Sequence, residues 1–249
     1  MLTNIWNTVL YQPLLNALAF LVSIIPGGDV GIAVIILTVL VKVVLFPLSQ
    51  KSIESQAAMS LLAPELEKIK KSGASKEEQA RLTFELYKKH KTNPFSGCLL
   101  VLLQIPIIFA LYFVFFKGIN FESGLIYSFI HPPEILDTVF LGIDITKQSF
   151  ILAILASVSQ YLQAHFMPKP NIPSSPPGSA PSFQESFGKS MHIQMKYLFP
   201  VFIFVILYTD FLGVALSGAV ALYWITNNIF SVGQQIYVDK KRDDLIIKL

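Results

Sequence analysis

The chain has 249 residues, 53% of them hydrophobic and 14% charged. Soluble domains carry about 25% charged residues, and several stretches here approach the roughly 20 apolar residues that a helix needs to cross a bilayer core of about 30 Å. The composition therefore excludes a soluble globular domain and points to an integral membrane protein with short extramembrane parts. The single cysteine, Cys98, excludes an internal disulfide framework and has no second thiol for a metal site or redox pair.

The first ten residues, MLTNIWNTVL, contain no Lys or Arg and do not read as a signal or transit peptide. Over residues 1–28, Leu2, Ile5, Trp6, Val9, Leu10 and Pro13 share one helical face, and Asn4, Asn7, Thr8, Gln12 and Asn16 the other. Such a stripe suits a helix lying in the membrane interface on the outer face. The alternative is a sixth span, which puts the N-terminus inside with no positive charge to hold it there.

Residues 29–48 predict the first span, and Lys42 is the only formal charge within VGIAVIILTVLVKVVLFPL at 30–48. A charge at the centre of a span is unfavourable by roughly 2.5–3.5 kcal/mol on insertion scales, so an intramembrane lysine marks a functional site by default. The bland alternative is that Lys42, about six residues from the span's end, snorkels to the surface.

Residues 49–96 read as a helical hairpin. Ala57, Met59, Leu62, Leu66 and Ile69 give one apolar stripe, and Leu82, Phe84, Leu86 and Tyr87 another. Ser72-Gly73-Ala74-Ser75 forms the turn, and Ser75 with Glu78 has capping-box spacing. The hairpin is either a solvated helix pair or a docking arm for a substrate or partner. A second span follows at 97–117, then an outer loop at 118–147 with Glu122, Glu134, Asp137 and Asp144, expected to contain short helical turns. The third span is expected at 148–166. Residues 167–193 form a flexible Pro/Ser-rich loop containing PKPNIPSSPPGSAPSF. Residues 194–236 hold the fourth and fifth spans as a tight hairpin turning at Asp210-Phe211-Leu212-Gly213, and 237–249 form the tail. If the fourth span begins at Tyr197 it is short, about 24 Å, and thins the bilayer locally.

Sixteen Lys and Arg residues fall in 49–96, 167–196 and the tail, against Lys117 and Lys147 on the opposite side. The positive-inside rule places the former segments in the cytoplasm and the N-terminus outside. The fold class expected is an all-α polytopic membrane protein: a five-span helical core, an N-terminal interfacial amphipathic helix and a cytoplasmic helical hairpin.

Polar residues recur within the spans. Thr38 lies one turn from Lys42, with Ser49 two turns beyond it. Gln104 stands alone in the second span, while Ser157, Gln160 and Gln163 recur in the third. In the fifth, Asn227, Asn228, Ser231, Gln234 and Gln235 continue a stripe that begins near Trp224. Hydrocarbon cannot satisfy such groups, so they face protein or water. Taken singly, each is more simply helix-to-helix glue. Taken as a set beside a charge, they point to a hydrated groove open to the cytoplasm. Its candidate residues are Lys42, Thr38, Gln104, Ser157, Gln160, Gln163, Asn227, Asn228, Ser231 and Gln234. No span contains a carboxylate to pair with Lys42, which argues against a proton relay. No catalytic signature, nucleotide loop or metal-ligand cluster is present, so neither an enzymatic site, a metal nor a cofactor is expected.

Three blocks resemble the YidC/Oxa/Alb family of membrane protein insertases. TVLVKVVLFPLSQKSIESQAAMSLLAPELEKIK at 38–70 has a basic residue in the span before a Pro, followed by a helix with a Pro-Glu pair. NPFSGCLLVLLQIPIIFALYFVF at 93–115 is similar to the family's Asn-Pro, Gly-Cys, Gln-x-Pro and Ala-Leu-Tyr pattern. Residues 195–238 carry Leu-Tyr-Trp, Asn-Asn and Gln-Gln in the family's order. The resemblance implies a five-span core with an outside N-terminus and a groove closed on the outer side. It implies nascent membrane proteins as clients and the bacterial inner membrane as location. The Sec translocon and the ribosome are possible partners, and nucleic-acid binding is not expected. It also implies that Lys42 occupies the position of the family's basic groove residue, usually Arg. Leu100 departs from the family's Pro, the tail YVDKKRDDLIIKL is short, and no large outer domain is present, as in a minimal bacterial form. The implied mechanism is that a half-depth aqueous groove shortens the dry path, Lys42 attracts acidic residues of a translocating flank, and the apolar segment slides into lipid without nucleotide hydrolysis. A small transporter or channel, or an assembly factor for the Sec complex, are the competing readings of the same cavity.

Overall fold

The structure is a computed structural model that describes residues 6–90, 96–116, 121, 124–133, 135–167, 190–210 and 215–247; within these, side chains at 56, 57, 59, 60, 63, 70, 76, 96–103, 115–116 and 241–247 are not described. The described chain is mostly helical. A π-helical turn, Asn7–Tyr11, leads into α1 (Gln12–Ile24). Then come α2 (Val30–Leu61), α3 (Ala63–Lys71), α4 (Lys76–Lys89), α5 (Ser96–Phe116), α6 (Phe150–Phe166), α7 (Phe199–Tyr208) and α8 (Gly218–Ile247). A second π-helical turn, Gln194–Leu198, precedes α7. Three helical segments, Asn7–Ile24, Val30–Ser55 and Ser190–Tyr208, are long and apolar enough to cross a membrane, and Gln104–Val114 and Phe150–Phe166 are shorter apolar helices.

Proline sets the two π turns. Pro13 and Pro200 each stand two residues past such a turn. A proline in a helix lacks its N–H and clashes with the carbonyl four residues back. Widening that turn relieves the clash, so Gln12 N–H donates to Asn7 O and Phe199 N–H to Gln194 O. The apolar helical segment that ends at Tyr208 begins at Ser190 rather than Tyr197, which corrects the short-span reading. The turn expected at Asp210–Gly213 lies largely outside the described residues.

Helix α8 packs against α2 and α6, α6 against α7, and α2 against α1 and α5. Their shared core holds Leu18, Val22, Val30, Val34, Leu37, Leu111, Val114, Leu152, Ala156, Ile203, Leu207 and Ala219–Tyr223. The N-terminal helix turns Tyr11, Leu15, Leu18, Ala19 and Val22 inward, whereas Val9, assigned to the apolar stripe, is exposed. Asn16, assigned to the polar stripe, is buried. Its amide donates to Leu125 O at 2.8 Å and its carbonyl accepts from Tyr127 N–H at 2.7 Å. A buried amide with backbone partners has no need of water, which periodicity alone does not reveal.

The segment between α5 and α6 contains a two-stranded antiparallel ribbon, β1 (Val139–Phe140) with β2 (Ile143–Asp144), where helical turns were expected. Its backbone is committed to the helix ends. Asp137 O accepts from Val30 N–H at 2.9 Å, Lys147 O from Gly218 N–H at 2.7 Å, and Ile145 O from Ala219 N–H at 2.9 Å. The first N–H groups of a helix lack intrahelical partners, and the loop supplies carbonyls to those of α2 and α8. Gly31 permits this seal, because a Cβ there would stand 2.5 Å from the Phe140 ring. The Asp144 carboxyl is held below its usual range by the Thr146 hydroxyl, then by Lys147.

Beyond α2, the hairpin α3–α4 closes on Leu62, Leu66 and Leu86, with Ile69 and Tyr87 packed against them. Phe84, assigned to the second stripe, is exposed, and Ala57 and Met59 lie outside the described side chains. Gly73 turns the chain at φ +70°, and Ser75 Oγ accepts from Glu78 N–H at 3.2 Å. The Glu78 carboxylate pairs with Arg81 at 2.7 Å. A hydrogen bond from Lys71 lowers the Glu67 carboxyl from its usual range, and burial in the seam raises the Tyr87 phenol.

Candidate functional site: a polar cavity around Lys42

The bundle is solid toward residues 121–147 and hollow toward the α3–α4 hairpin. In the half nearer residues 121–147, the helices meet through apolar core. In the half nearer the α3–α4 hairpin, they part around a cavity of about 260 Å³. Residues at i, i+3, i+4 and i+7 share a helical face, and this spacing brings Lys42, Leu45, Ser49 and Ile53 of α2 to the cavity wall. Helix α5 supplies Gln104, Ile105 and Ile108, α6 supplies Gln160 and Gln163, and α8 supplies Tyr223 through Gln235 at helical spacing.

Lys42, about 18 Å along α2 from Val30 at 1.5 Å per residue, donates from Nζ to Ser231 Oγ at 3.0 Å. Ser231 Oγ donates in turn to Asn227 O at 2.8 Å. Among the described residues Lys42 makes no ion pair. An ammonium has three donor protons, and Ser231 takes one of them.

The other polar side chains largely satisfy one another. Gln104 Nε2 donates to Tyr223 OH and, at 3.2 Å, to Asn227 Oδ1. Asn228 Nδ2 donates to Ser159 Oγ at 3.0 Å and to Gln160 Oε1 at 3.2 Å, and Trp224 Nε1 donates to that same oxygen at 2.8 Å. Gln234 Nε2 donates to Ser49 Oγ at 2.8 Å. These bonds tie α8 to α2, α5 and α6 across the hollow, so the cavity wall is organised before any ligand arrives.

Of the ten candidates, Lys42, Gln104, Gln160, Gln163, Asn227, Asn228, Ser231 and Gln234 line this cavity. Thr38 and Ser157 are not among its lining residues. Thr38 is buried one turn deeper and spends its hydroxyl on Val34 O at 2.7 Å. Ser157 donates to Pro200 O at 2.8 Å and joins α6 to α7. Tyr223 and Ser159 belong to the polar wall or its support and were not anticipated, while Gln235, read as part of the polar stripe, lines the cavity too. In the sequence Tyr223 figures only in the Leu-Tyr-Trp run, and only the fold brings its hydroxyl to Gln104. Among the described residues no group of three His, Cys, Asp or Glu is placed to hold a metal.

Apolar helices long enough to cross a bilayer around a polar, cation-bearing hollow define a multi-pass helical membrane protein. Residues 20–244 match the family model described as 60Kd inner membrane protein. The chain belongs to that family. Among its relatives, a membrane protein insertase YidC from Fusobacterium nucleatum is 32% identical, the match covering 93% of this chain and 98% of the relative. Insertases of the same name from Magnetococcus marinus and Oleidesulfovibrio alaskensis are 30% and 33% identical over 96% and 95% of this chain. The chain spans only 37% and 39% of those two longer relatives.

Proposed function

We propose that the protein is a membrane protein insertase of the bacterial inner membrane, and that the cavity around Lys42 receives the polar flank of an incoming segment. The observation that carries this reading is the confinement of the hollow to one half of the bundle. A bilayer core is about 30 Å thick, and a wetted pocket entered from one side shortens the dry path. The apolar half beyond it prevents a continuous aqueous leak. Lys42, whose partner among the described residues is Ser231, offers an acidic flank a positive charge in a low-dielectric setting where charge interactions are strong. Tyr223, Trp224 and Phe199 face the same space and suit apolar side chains of the client. About 20 apolar residues leaving the groove for lipid make the transfer downhill, so no nucleotide hydrolysis or cofactor is needed.

The topology in this proposal has five spans: the first part of α2, then α5, α6, α7 with its preceding turn, and α8. The basic hairpin, the 167–193 loop and the tail face the cytoplasm, as the division of Lys and Arg supports. The N-terminal helix lies along the outer face. Asn16 bonds the outer loop at Leu125 and Tyr127, and Gly28 O, beyond the other end of α1, accepts from Asp137 N–H at 3.1 Å. A helix with both ends against one loop rests across the bundle. Clients are nascent membrane proteins; cooperation with the Sec translocon or ribosome belongs to the same proposal.

The test is reconstitution into liposomes without other proteins, scored by protease protection of a single-span substrate with an acidic outer tail. Photocrosslinkers at Gln104, Gln160 and Asn228 are expected to trap the substrate. Protection without these crosslinks would mean that insertion bypasses the cavity; saturable solute flux without protection would instead favour a transporter.

A further inference from the structure

The outer loop carries large apolar side chains turned away from the bundle it seals. Phe129 is 74% exposed, Ile135 84% and Leu141 85%. Scattered exposed apolar residues are ordinary, but Leu141 is held where a leucine is disfavoured. It occupies the first position of the two-residue turn joining β1 to β2, at φ +48°, followed by Gly142 at φ +80°. Two successive positive φ values make the mirror-image turn that short hairpins prefer, and Asn-Gly or Asp-Gly is its usual sequence. The left-handed region crowds the Cβ of a bulky L-residue. Asparagine would ease the backbone and expose no apolar surface, yet the turn presents leucine.

The hairpin also sits at a defined level. Phe140 closes over Gly31 in the first turn of α2, while Lys147 O and Ile145 O bond the first N–H groups of α8. Strand alternation turns Val139, 50% exposed, away from the side of Phe140. The tip is thus flush with the ends of the apolar helices. It adjoins the exposed apolar start of α6 at Phe150 and Ile151 in chain order. An apolar tip at that height meets the zone where headgroups give way to acyl chains.

We infer that the β1–β2 hairpin is a membrane anchor, with Leu141 and Val139 bedded in the lipid interface of the outer leaflet and Ile135 beside them. The anchor keeps the loop that caps α2 and α8 seated level with the bilayer. It rests on the membrane reading above and is independent of what the cavity binds.

The experiment places nitroxide labels on the full chain in phosphatidylethanolamine–phosphatidylglycerol vesicles, in a Cys98→Ser background. Labels at Leu141→Cys, Val139→Cys and Ile135→Cys are compared with Val44→Cys on the exposed face of α2 and Lys89→Cys on the hairpin. Collision rates with oxygen, which partitions into lipid, and a water-soluble nickel chelate are read at each. The expected result is that positions 139 and 141 favour oxygen as Val44→Cys does. A nickel preference at 141 with oxygen preference at 44 overturns the anchor alone; a nickel preference at 44 as well overturns the membrane reading beneath it. Shielding from both agents means that protein covers the tip, and also overturns the anchor. With the label kept at 139, Leu141→Asn preserves the turn and is expected to shift that label toward nickel. An unchanged label would remove Leu141 from the anchor.

Discussion

The two halves of the helical bundle are built from the same elements and do opposite things. On the loop side, α2, α6, α7 and α8 meet through Val30, Val34, Leu152, Ala156, Ile203, Leu207 and Ala219, and the ribbon 137–147 caps two of them. On the hairpin side, the same helices present Lys42, Ser49, Gln160, Asn228 and Gln234 to one another around a hollow. The first half gains stability from close packing, which tolerates few voids. The second gives up apolar packing and holds its shape with side-chain hydrogen bonds, each of which contributes only about 0.5–1.5 kcal/mol net. The contrast shows where each property resides. In the proposed function, the loop side supplies rigidity and the barrier to leakage, and the hairpin side takes up the polar chain.

The sharpest way to break this division is to reverse the charge at its boundary. Lys42→Glu is expected to abolish insertion of a substrate with an acidic outer tail in the liposome assay, while Lys42→Arg retains it. Full activity of Lys42→Glu would remove charge attraction from the mechanism. Next in size is a cavity cut into the solid half. Ile203→Ala, at a site with no exposure, should destabilise the protein by about 2–5 kcal/mol, read as a lowered unfolding midpoint in detergent. The crosslinking pattern of molecules that remain folded should not change. If the loss is under about 1 kcal/mol, the loop-side half is not the tightly packed half.

Ser49→Ala probes the hollow half in the same units. Gln234 would lose its Ser49 partner, at an expected cost of about 1–3 kcal/mol if water does not replace it. A negligible cost would indicate that the cavity is wet enough to compensate, which sharpens the comparison in favour of hydration. The smallest effect is expected outside the bundle. Ser75→Ala removes the cap of α4, an effect of about 1 kcal/mol. It should appear as faster amide exchange at residues 77–79 with insertion unchanged. A loss of insertion would assign the hairpin a part in handling the client.

The sequence exposed some of this directly and hid the rest for identifiable reasons. Lys42 is legible because one ammonium in a run of aliphatic residues marks a functional site by default. The α8 stripe from Asn227 to Gln234 is legible because polar groups recur at helical spacing. Thr38 and Ser157 show the limit of that reading. A hydroxyl can return to its own helix's carbonyl or bridge to a neighbour, and spacing does not distinguish these uses from a groove. Asn16 shows the reverse error, since an amide on an apparently wet face proved to be buried against a loop more than 100 residues away.

By itself, then, the sequence determined that this is a helical membrane protein, which segments are apolar, how its basic residues divide, and which buried charge demands attention. These follow from transfer energies and periodicity, which are local. Only the tertiary structure decided that Tyr223 joins Gln104, that Gly31 admits Phe140, and that a β-ribbon closes the end away from the polar cavity. Those outcomes depend on which distant backbone groups lacked partners and which surfaces could approach closely, and neither is written in the spacing of residues along one helix.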